Sequence, residues 1–291
     1  MANDIKIQLS DIYEPITEKQ ISDAKRYVLR REQAAIAVSS LIDSLLEDAA
    51  ENITKIAFRY GIDPKRFQIA DSYNKDMFRE ISDVLDELEE EILDLTLSYS
   101  TKCTEDKGNK KLLLLWLASL GKRNRNLRQT LEDRLWIFSR DLEAMIVACK
   151  VAGRKASESA TRIRQYLHAV YTMPEVKALF KKANEYKPMY IRSRGVKYGN
   201  VGSSNSEANN ILRFSKTTVQ MGWMKELQEE YMQDDAAGYY TLRGSDYLCS
   251  LCDSHVGWHP IDDKEDFPPF HPSCACYAVP VYEKDIKSLM Q

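Results

Sequence analysis

The residues best suited to chemistry in this chain are cysteines and histidines near its C-terminal end. Four of the six cysteines lie within 28 residues. Cys249 and Cys252 form a Cys-x-x-Cys pair, and His271 and Cys274 form a second pair, with Cys276 two residues further on. Tetrahedral zinc takes four nitrogen or sulfur ligands, and small modules supply them as pairs from two separated turns. The spacing therefore predicts one structural zinc ion, Zn²⁺, held by four of these five side chains.

Two other interpretations of the cluster remain open on the sequence alone. The thiols and the histidine can form a compact corner of buried side chains, because free cysteine packs like a small hydrophobe. A redox Cys-x-x-Cys is the other alternative, although no βαβ pattern surrounds it. Pro268, Pro269 and Pro272 stiffen the second turn, which lowers the entropy cost of presenting ligands to a metal. The zinc site is the interpretation we favour.

The cluster departs from the motifs of catalytic zinc sites. A cytidine-type deaminase needs His-x-Glu and then Pro-Cys-x-x-Cys, whereas this chain has His255-Val-Gly and Pro272-Ser-Cys-Ala-Cys. The sequence contains no His-Glu-x-x-His, Gly-x-Ser-x-Gly, phosphate-binding glycine-rich loop or Rossmann fingerprint. Five candidate ligands also favour a closed site over one with an open water position. We expect a protein that is not an enzyme, with His255 and His259 as surface or packing residues.

Long helices must position this cluster, because most of the upstream sequence has helical periodicity. Thr17-x-x-Gln20 is a capping box that opens a helix, and Gly61 predicts its end. Within 74–100, apolar residues recur mostly three or four positions apart and leave an acidic opposite face. Further helices are predicted over 109–120, 124–153, 157–170, 174–186 and 207–233.

The composition and periodicity of the sequence change after Gly238. A strand over 239–243 is followed by the cysteines, by five of the nine prolines, and by a final strand over 277–282. The predicted fold class is mainly α, a long helical body with a small irregular α+β Cys/His-rich C-terminal module. Three regions are predicted: acidic and helical, basic and helical with a Gly/Ser-rich loop, and the Cys/His zinc module. Their bounds are 1–120, 121–237 and 238–291.

Positive charge is concentrated in the middle of the chain. Between Gly121 and Lys197 lie 18 Lys/Arg and 7 Asp/Glu, a net charge of +11, whereas the remainder has 23 and 37, a net charge of −14. Such segregation indicates a polyanion partner such as double-stranded DNA, bound without sequence preference. An ordinary solvated helical surface is the alternative. The candidate DNA-binding residues are Lys122, Arg123, Arg125, Arg128, Arg192, Arg194 and Lys197.

Targeting signals and membrane spans are missing from the sequence. No apolar run approaches the roughly 20 residues that a membrane span needs, and no basic region followed by an apolar stretch marks a secretory signal. We therefore expect a protein without a membrane partner that folds in the cytoplasm, where disulfides are disfavoured. Cys103 and Cys149, which lie far from the cluster, are predicted to be buried small hydrophobes.

The C-terminal segment resembles the signature of phage head morphogenesis proteins, the Mu F-like minor head (minor capsid) proteins of tailed phages. The resemblance covers about residues 125–282 and includes Cys-x-x-Cys-Asp, a Gly-containing turn, Pro-Pro-x-His-Pro-x-Cys-x-Cys and a short apolar strand. The family usually has Leu-Asp-Gly after the second cysteine and Arg between the last two, where this chain has Asp253-Ser-His-Val-Gly and Ala275. The matching residues are Cys249, Cys252, Asp253, Gly257, Pro268, Pro269, His271, Pro272, Cys274, Cys276 and Pro280.

This resemblance implies a structural role inside a virion. Members of the family are minor components of the procapsid interior that associate with the portal and help head assembly, DNA packaging or DNA delivery. It also implies that the protein binds portal or capsid proteins and resides in host cytoplasm during assembly. Two other classes remain open. One is a zinc-dependent nuclease or toxin-like enzyme that uses His255, His259 and Asp253, and the other is a nucleic-acid-binding zinc-module adaptor.

Overall fold

A computed structural model describes residues 16–69, 74–104, 107–120, 125–181, 206–262, 267–271 and 274–282. This part of the chain is mainly helical and carries a small three-stranded sheet, which confirms the predicted fold class. The helices are α1 (Glu18–Arg59), α2 (Lys75–Ser100), α3 (Lys107–Ser119), α4 (Leu127–Val151), α5 (Ala156–Tyr166), α6 (Pro174–Lys181), α7 (Glu207–Gln233) and α8 (Ser250–Asp253). The strands are β1 (Ala236–Leu242), β2 (Gly257–Pro260) and β3 (Tyr277–Tyr282).

Helix α1 begins and ends at the residues that local chemistry selects. The Thr17 backbone N–H donates to Gln20 Oε1 (2.8 Å), and the Gln20 backbone N–H donates to the Thr17 hydroxyl (3.2 Å). This reciprocal pair is the predicted capping box. Gly61 follows the helix with φ +69°, a left-handed conformation that glycine adopts without a steric penalty. Gly153 ends α4 in the same way, with φ +75°.

Helix α2 has the two faces that its sequence predicts. Ile81, Leu88 and Ile92 are each at most 4% exposed, so the apolar stripe belongs to a core. On the opposite side, the acidic residues from Asp83 to Asp94 are mostly exposed to solvent. Burial of the apolar face stabilises this helix more than its intrinsic propensity does.

The chain divides into two compact units, each assembled from separate stretches. Unit 1 comprises the described residues of 1–37, 96–117 and 216–291, and unit 2 those of 38–95 and 118–215. Unit 1 contains the sheet, with strand order β2-β1-β3 and antiparallel pairing throughout. The regions predicted at 1–120, 121–237 and 238–291 stay predictions.

Within unit 1, the sheet packs against two helices. Tyr231 and Leu227 of α7 lie in one apolar cluster with Tyr239 of β1 and Ala278 of β3. Ala24 and Val28 of α1 lie in a second cluster with Tyr277 and Val279 of β3. The Gln20 side-chain amide also donates to the Pro280 carbonyl (3.3 Å). The sheet that carries the cysteine segment is therefore fixed to helices from distant parts of the chain.

Some predicted elements differ from the observed ones. The helix predicted over 157–170 ends at Tyr166 and is followed by a 3₁₀ turn, Val170–Thr172. Strand β2 and helix α8 were not predicted, because each is four residues long and has too few positions to show a period. Residues 1–15 and residues 182–205, which include most of the predicted Gly/Ser-rich loop, lie outside the described residues. Among the helices described, none is long and apolar enough to cross a membrane.

Candidate metal centre

The first turn of the centre is built around helix α8. Cys249 stands at its N-cap position, and Cys252 follows within the helix. The Asp253 N–H donates to the Cys249 carbonyl (2.9 Å), and the His255 N–H donates to the Cys252 carbonyl (3.1 Å). These bonds form a single helical turn. The turn places the two thiols on the same side of the backbone.

The second turn brings His271 and Cys274 close to the thiols of the first turn. The Cys274 N–H donates to the His271 carbonyl (3.1 Å). His271 Nε2 lies 3.4 Å from Cys249 Sγ and 3.0 Å from Cys252 Sγ, and the Cys252 and Cys274 sulfurs lie 3.8 Å apart. Tetrahedral zinc with normal bond lengths separates two sulfurs by about 3.8 Å, and a sulfur from a nitrogen by about 3.6 Å. The Cys249–His271 and Cys252–Cys274 separations are close to these values, whereas Cys274 does not lie within 4.8 Å of both Cys249 and His271.

All five predicted ligands take part in the cluster. Cys249, Cys252 and His271 form one group whose donor atoms lie within 4.8 Å of one another, and Cys252, Cys274 and Cys276 form another. Cys252 belongs to both groups. The cluster can therefore hold a metal ion.

Three of the four clustered thiols are buried, and hydrogen bonds between them shift their pKa values. Cys252, Cys274 and Cys276 are each at most 3% exposed. A hydrogen bond from Cys276 lowers the pKa of Cys274 to about 5, and the same bond raises the pKa of Cys276. Burial raises the pKa of Cys252 to about 12. So many thiols this close cannot all ionise unless a cation compensates the charge, which is what a bound metal supplies.

A buried arginine from helix α1 supports the second turn. Arg31 is 0% exposed, and its Nη2 donates to the Cys274 carbonyl (2.7 Å) across 243 positions of sequence. The same guanidinium pairs with Glu32 (3.0 Å), which also accepts from the Gln220 amide (2.7 Å). This network ties the backbone of a candidate ligand to α1 and α7.

A second arginine orders the first turn. The Arg243 guanidinium donates to the carbonyls of Cys249 (3.2 Å), Ser245 (3.5 Å) and Tyr247, and it pairs with the Asp253 carboxylate. One side chain therefore contacts the backbone that leads into the Cys-x-x-Cys pair and the carboxylate that follows the pair. Outer contacts of this kind orient metal ligands and tune metal affinity.

Sequence reasoning missed both supporting arginines and one glycine. Gly244 lies so close to the second turn that a Cβ atom there would stand 1.8 Å from the Ala275 carbonyl oxygen. Ala275 separates the last two cysteines of the motif, so only glycine permits the two segments to approach. The position of Gly244 five residues before Cys249 was an available signal. The sequence contains no such signal for Arg31, because an arginine within an amphipathic helix is expected to lie on the surface.

The other two histidines of this segment have packing roles. The His255 ring stacks on Phe270, with centroids 4.1 Å apart, and the His259 ring stacks on Tyr239 at 5.5 Å. His259 Nε2 also lies 2.9 Å from the His255 carbonyl oxygen. Neither histidine belongs to a donor group found among the described residues. This arrangement agrees with their interpretation as packing residues.

The candidate DNA-binding residues are only partly described. Arg125 pairs with Asp133 (2.9 Å), and Arg128 pairs with Glu89 (2.7 Å). Five further arginines of the basic segment are paired with carboxylates of unit 2: Arg134, Arg140, Arg154, Arg162 and Arg164. The remaining candidates lie outside the described residues: Lys122, Arg123, Arg192, Arg194 and Lys197. DNA binding stays a prediction. The paired arginines already form ion pairs within the protein.

The two isolated cysteines differ in exposure. Cys149 is fully buried, as predicted, and burial raises its pKa to about 11. Cys103 is half-buried, and burial raises its pKa to about 12. Thiols with such high pKa values are poor nucleophiles near neutral pH.

Comparisons of this chain with protein-family models, with curated proteins and with solved structures find no match.

Proposed function

We propose that the cluster binds one zinc ion and that this ion is structural. The observation that supports it is the approach of the two turns: His271 Nε2 lies 3.4 Å from Cys249 Sγ and 3.0 Å from Cys252 Sγ, and Cys274 Sγ lies 3.8 Å from Cys252 Sγ. We assign Cys249, Cys252, His271 and Cys274 as the four ligands of a tetrahedral site. Four protein ligands leave no open position for water, so the ion stabilises the module and does not activate a substrate. Cys276 is then a buried thiol beside the site.

We propose, from this site and from the sequence motif around it, that the protein is a minor head protein of a tailed phage or prophage. It acts by binding portal or capsid proteins inside the virion, after folding in host cytoplasm, and it works without turnover. The proposal is supported by the resemblance of the Cys/His segment to that family's signature. The motif residues include the five donors of the candidate metal centre.

Co-expression with the portal, scaffold and capsid genes of the same genome tests the head role. We expect the protein to co-sediment with procapsids, and we expect the Cys252→Ser variant to be depleted from them because its module lacks the ion. A Cys103→Ser variant, altered far from the cluster in sequence, is the matched control and should enter particles normally. If the wild-type protein stays out of every particle, or cleaves nucleic acid in a zinc-dependent way, the proposal is wrong.

DNA contact is a separate part of the proposed role. Each phosphate contact on duplex DNA contributes a slope of about −0.9 to log affinity against log salt concentration. We expect non-specific binding whose slope becomes shallower in a triple alanine variant of the Gly-rich segment. The three substituted residues are Arg192, Arg194 and Lys197. An unchanged slope would exclude this segment, and no binding at low salt would remove DNA from the proposed role.

A further inference from the structure

An apolar groove lies between α2 and α4 within unit 2. Its volume is about 270 Å³. Leu135 and Ile81 line it and are buried, whereas Phe78 is 38% exposed and Trp136 is 55% exposed. Large aromatic side chains open to solvent beside buried aliphatic ones are typical of a binding surface.

The lining residues follow the surface of each helix. On α2 they are Phe78, Ile81, Ser82, Leu85, Asp86 and Glu89, and on α4 they are Glu132, Leu135, Trp136 and Ser139. Positions three or four apart share one helix face, so the groove runs lengthwise between the two helices. An amphipathic helix lays its apolar face into a channel of this shape.

Charge distinguishes the two ends of the groove. Glu89 lies near Glu132 and Asp86, and burial raises the pKa of Glu89, with both neighbours adding to the effect and Arg128 opposing it. Helix α2 as a whole carries 9 acidic residues and 2 basic ones. Arg128 pairs with Glu89, so one positive charge is already present at this end. The net charge at this end of the groove therefore remains negative.

The other end of the groove is apolar and aromatic. Phe78 and Trp136 both line the groove, and the Arg140 guanidinium lies 5.0 Å from the centroid of the Trp136 ring. Arg140 is itself paired with Glu143 (2.8 Å). A ligand that fits both ends therefore needs large apolar groups at one end and positive charge at the other.

We propose that this groove docks a basic amphipathic helix of a partner protein. Leucine-like or aromatic side chains of that helix pack against Trp136 and Phe78, and its lysines or arginines face Asp86 and Glu132. A second copy of this chain fits less well, because a symmetric interface would bring the same carboxylates together. The inference depends neither on the metal ion nor on the proposed role in a phage head.

Fluorescence anisotropy with two labelled peptides tests the proposal. One is an amphipathic leucine–lysine helix of about five turns, and the other has the same apolar face with every lysine replaced by glutamate. We expect the lysine peptide to bind at least about tenfold more tightly than the glutamate peptide, and more weakly as salt is added. In Trp136→Ala, binding of the lysine peptide should weaken at least about tenfold. Leu112→Ala, which removes a 67% exposed side chain of α3 in unit 1, is the control and should bind normally.

Charge reversal separates docking in the groove from general attraction to an acidic protein. The double variant Asp86→Lys and Glu132→Lys should prefer the glutamate peptide, and circular dichroism should show that it is folded because both side chains are exposed. Failure of both peptides to bind would overturn the proposal. Equal binding of the lysine peptide to wild type and Trp136→Ala would also overturn it. Self-association of the wild type that Trp136→Ala abolishes would assign the groove to a second copy instead.

Discussion

Substitution of Arg31 tests whether the helical part of unit 1 stabilises the metal centre. Replacing it with methionine keeps most of the side-chain volume and removes the donor to the Cys274 carbonyl. A hydrogen bond from a charged donor contributes about 1.5–3 kcal/mol. Methionine also removes the ion pair with Glu32, a carboxylate that is 25% exposed and keeps its bond from Gln220.

A second effect of the same substitution increases the stability of the folded protein. Arg31 Nη1 is buried with no hydrogen-bond partner among the described residues, so methionine also removes an unfavourable buried donor. The net loss of stability expected for unit 1 is about 1–2 kcal/mol. Loss of an outer contact to a ligand's backbone should weaken zinc binding about tenfold or more.

Chelator competition measures this change in zinc affinity directly. Arg26→Met is the matched control, because Arg26 lies on the same helix, is 69% exposed and pairs only weakly with Asp23 (3.5 Å). We expect Arg31→Met to release zinc at about one-tenth of the chelator concentration that wild type needs, and Arg26→Met to match wild type. Wild-type affinity in Arg31→Met would refute the claim that α1 positions the second turn, as would equal losses in both variants.

Three further predictions concern Gly244, Cys149 and Cys249. Gly244→Ala should abolish zinc binding, measured by metal analysis, because its Cβ would stand 1.8 Å from the Ala275 carbonyl oxygen; full zinc occupancy would contradict this. At about pH 8, Cys149 with a pKa of about 11 is thiolate in only about one molecule in a thousand. Cys149 should therefore react with a disulfide reagent only after unfolding, whereas chelation alone should release the three ligand thiols of Cys249, Cys252 and Cys274; rapid modification of Cys149 in folded protein, identified by peptide mapping, would count against it. Cys249→Ser should keep helical circular dichroism while residues 240–282 become protease-sensitive, and loss of the helical signal would show that the module is required by the whole fold.

Elements with local signals were predicted well from the sequence. Helix α1 starts at the Thr17 and Gln20 capping box and stops before Gly61, and both signals lie within a few residues of the boundary they set. The strand over 277–282 was predicted with its observed bounds from its apolar and aromatic residues, and five of its six residues are buried in the structure. The paired spacing of cysteines and histidine likewise indicated which donors come together.

Features that depend on distant contacts were not predicted. Strand β2 contains Gly257 and Pro260 and has no strand alternation, so its conformation comes from pairing with β1. Arg31 meets the Cys274 carbonyl across 243 positions, and nothing in its own helix distinguishes it from an exposed arginine. The groove on unit 2 requires two helices side by side, so the exposed Trp136 acquires a neighbour such as Phe78 only in the folded chain.

Metal analysis of three proteins tests the central claim, which is a four-ligand structural zinc site. Wild type, Cys274→Ser and Cys276→Ser are purified without chelator, and zinc is measured against protein concentration. We predict about one zinc per chain in wild type and in Cys276→Ser, and almost none in Cys274→Ser, because Cys274 Sγ lies 3.8 Å from Cys252 Sγ, the separation of two sulfurs on one zinc ion. Folded, metal-free wild-type protein in which all four clustered thiols titrate freely would contradict the account.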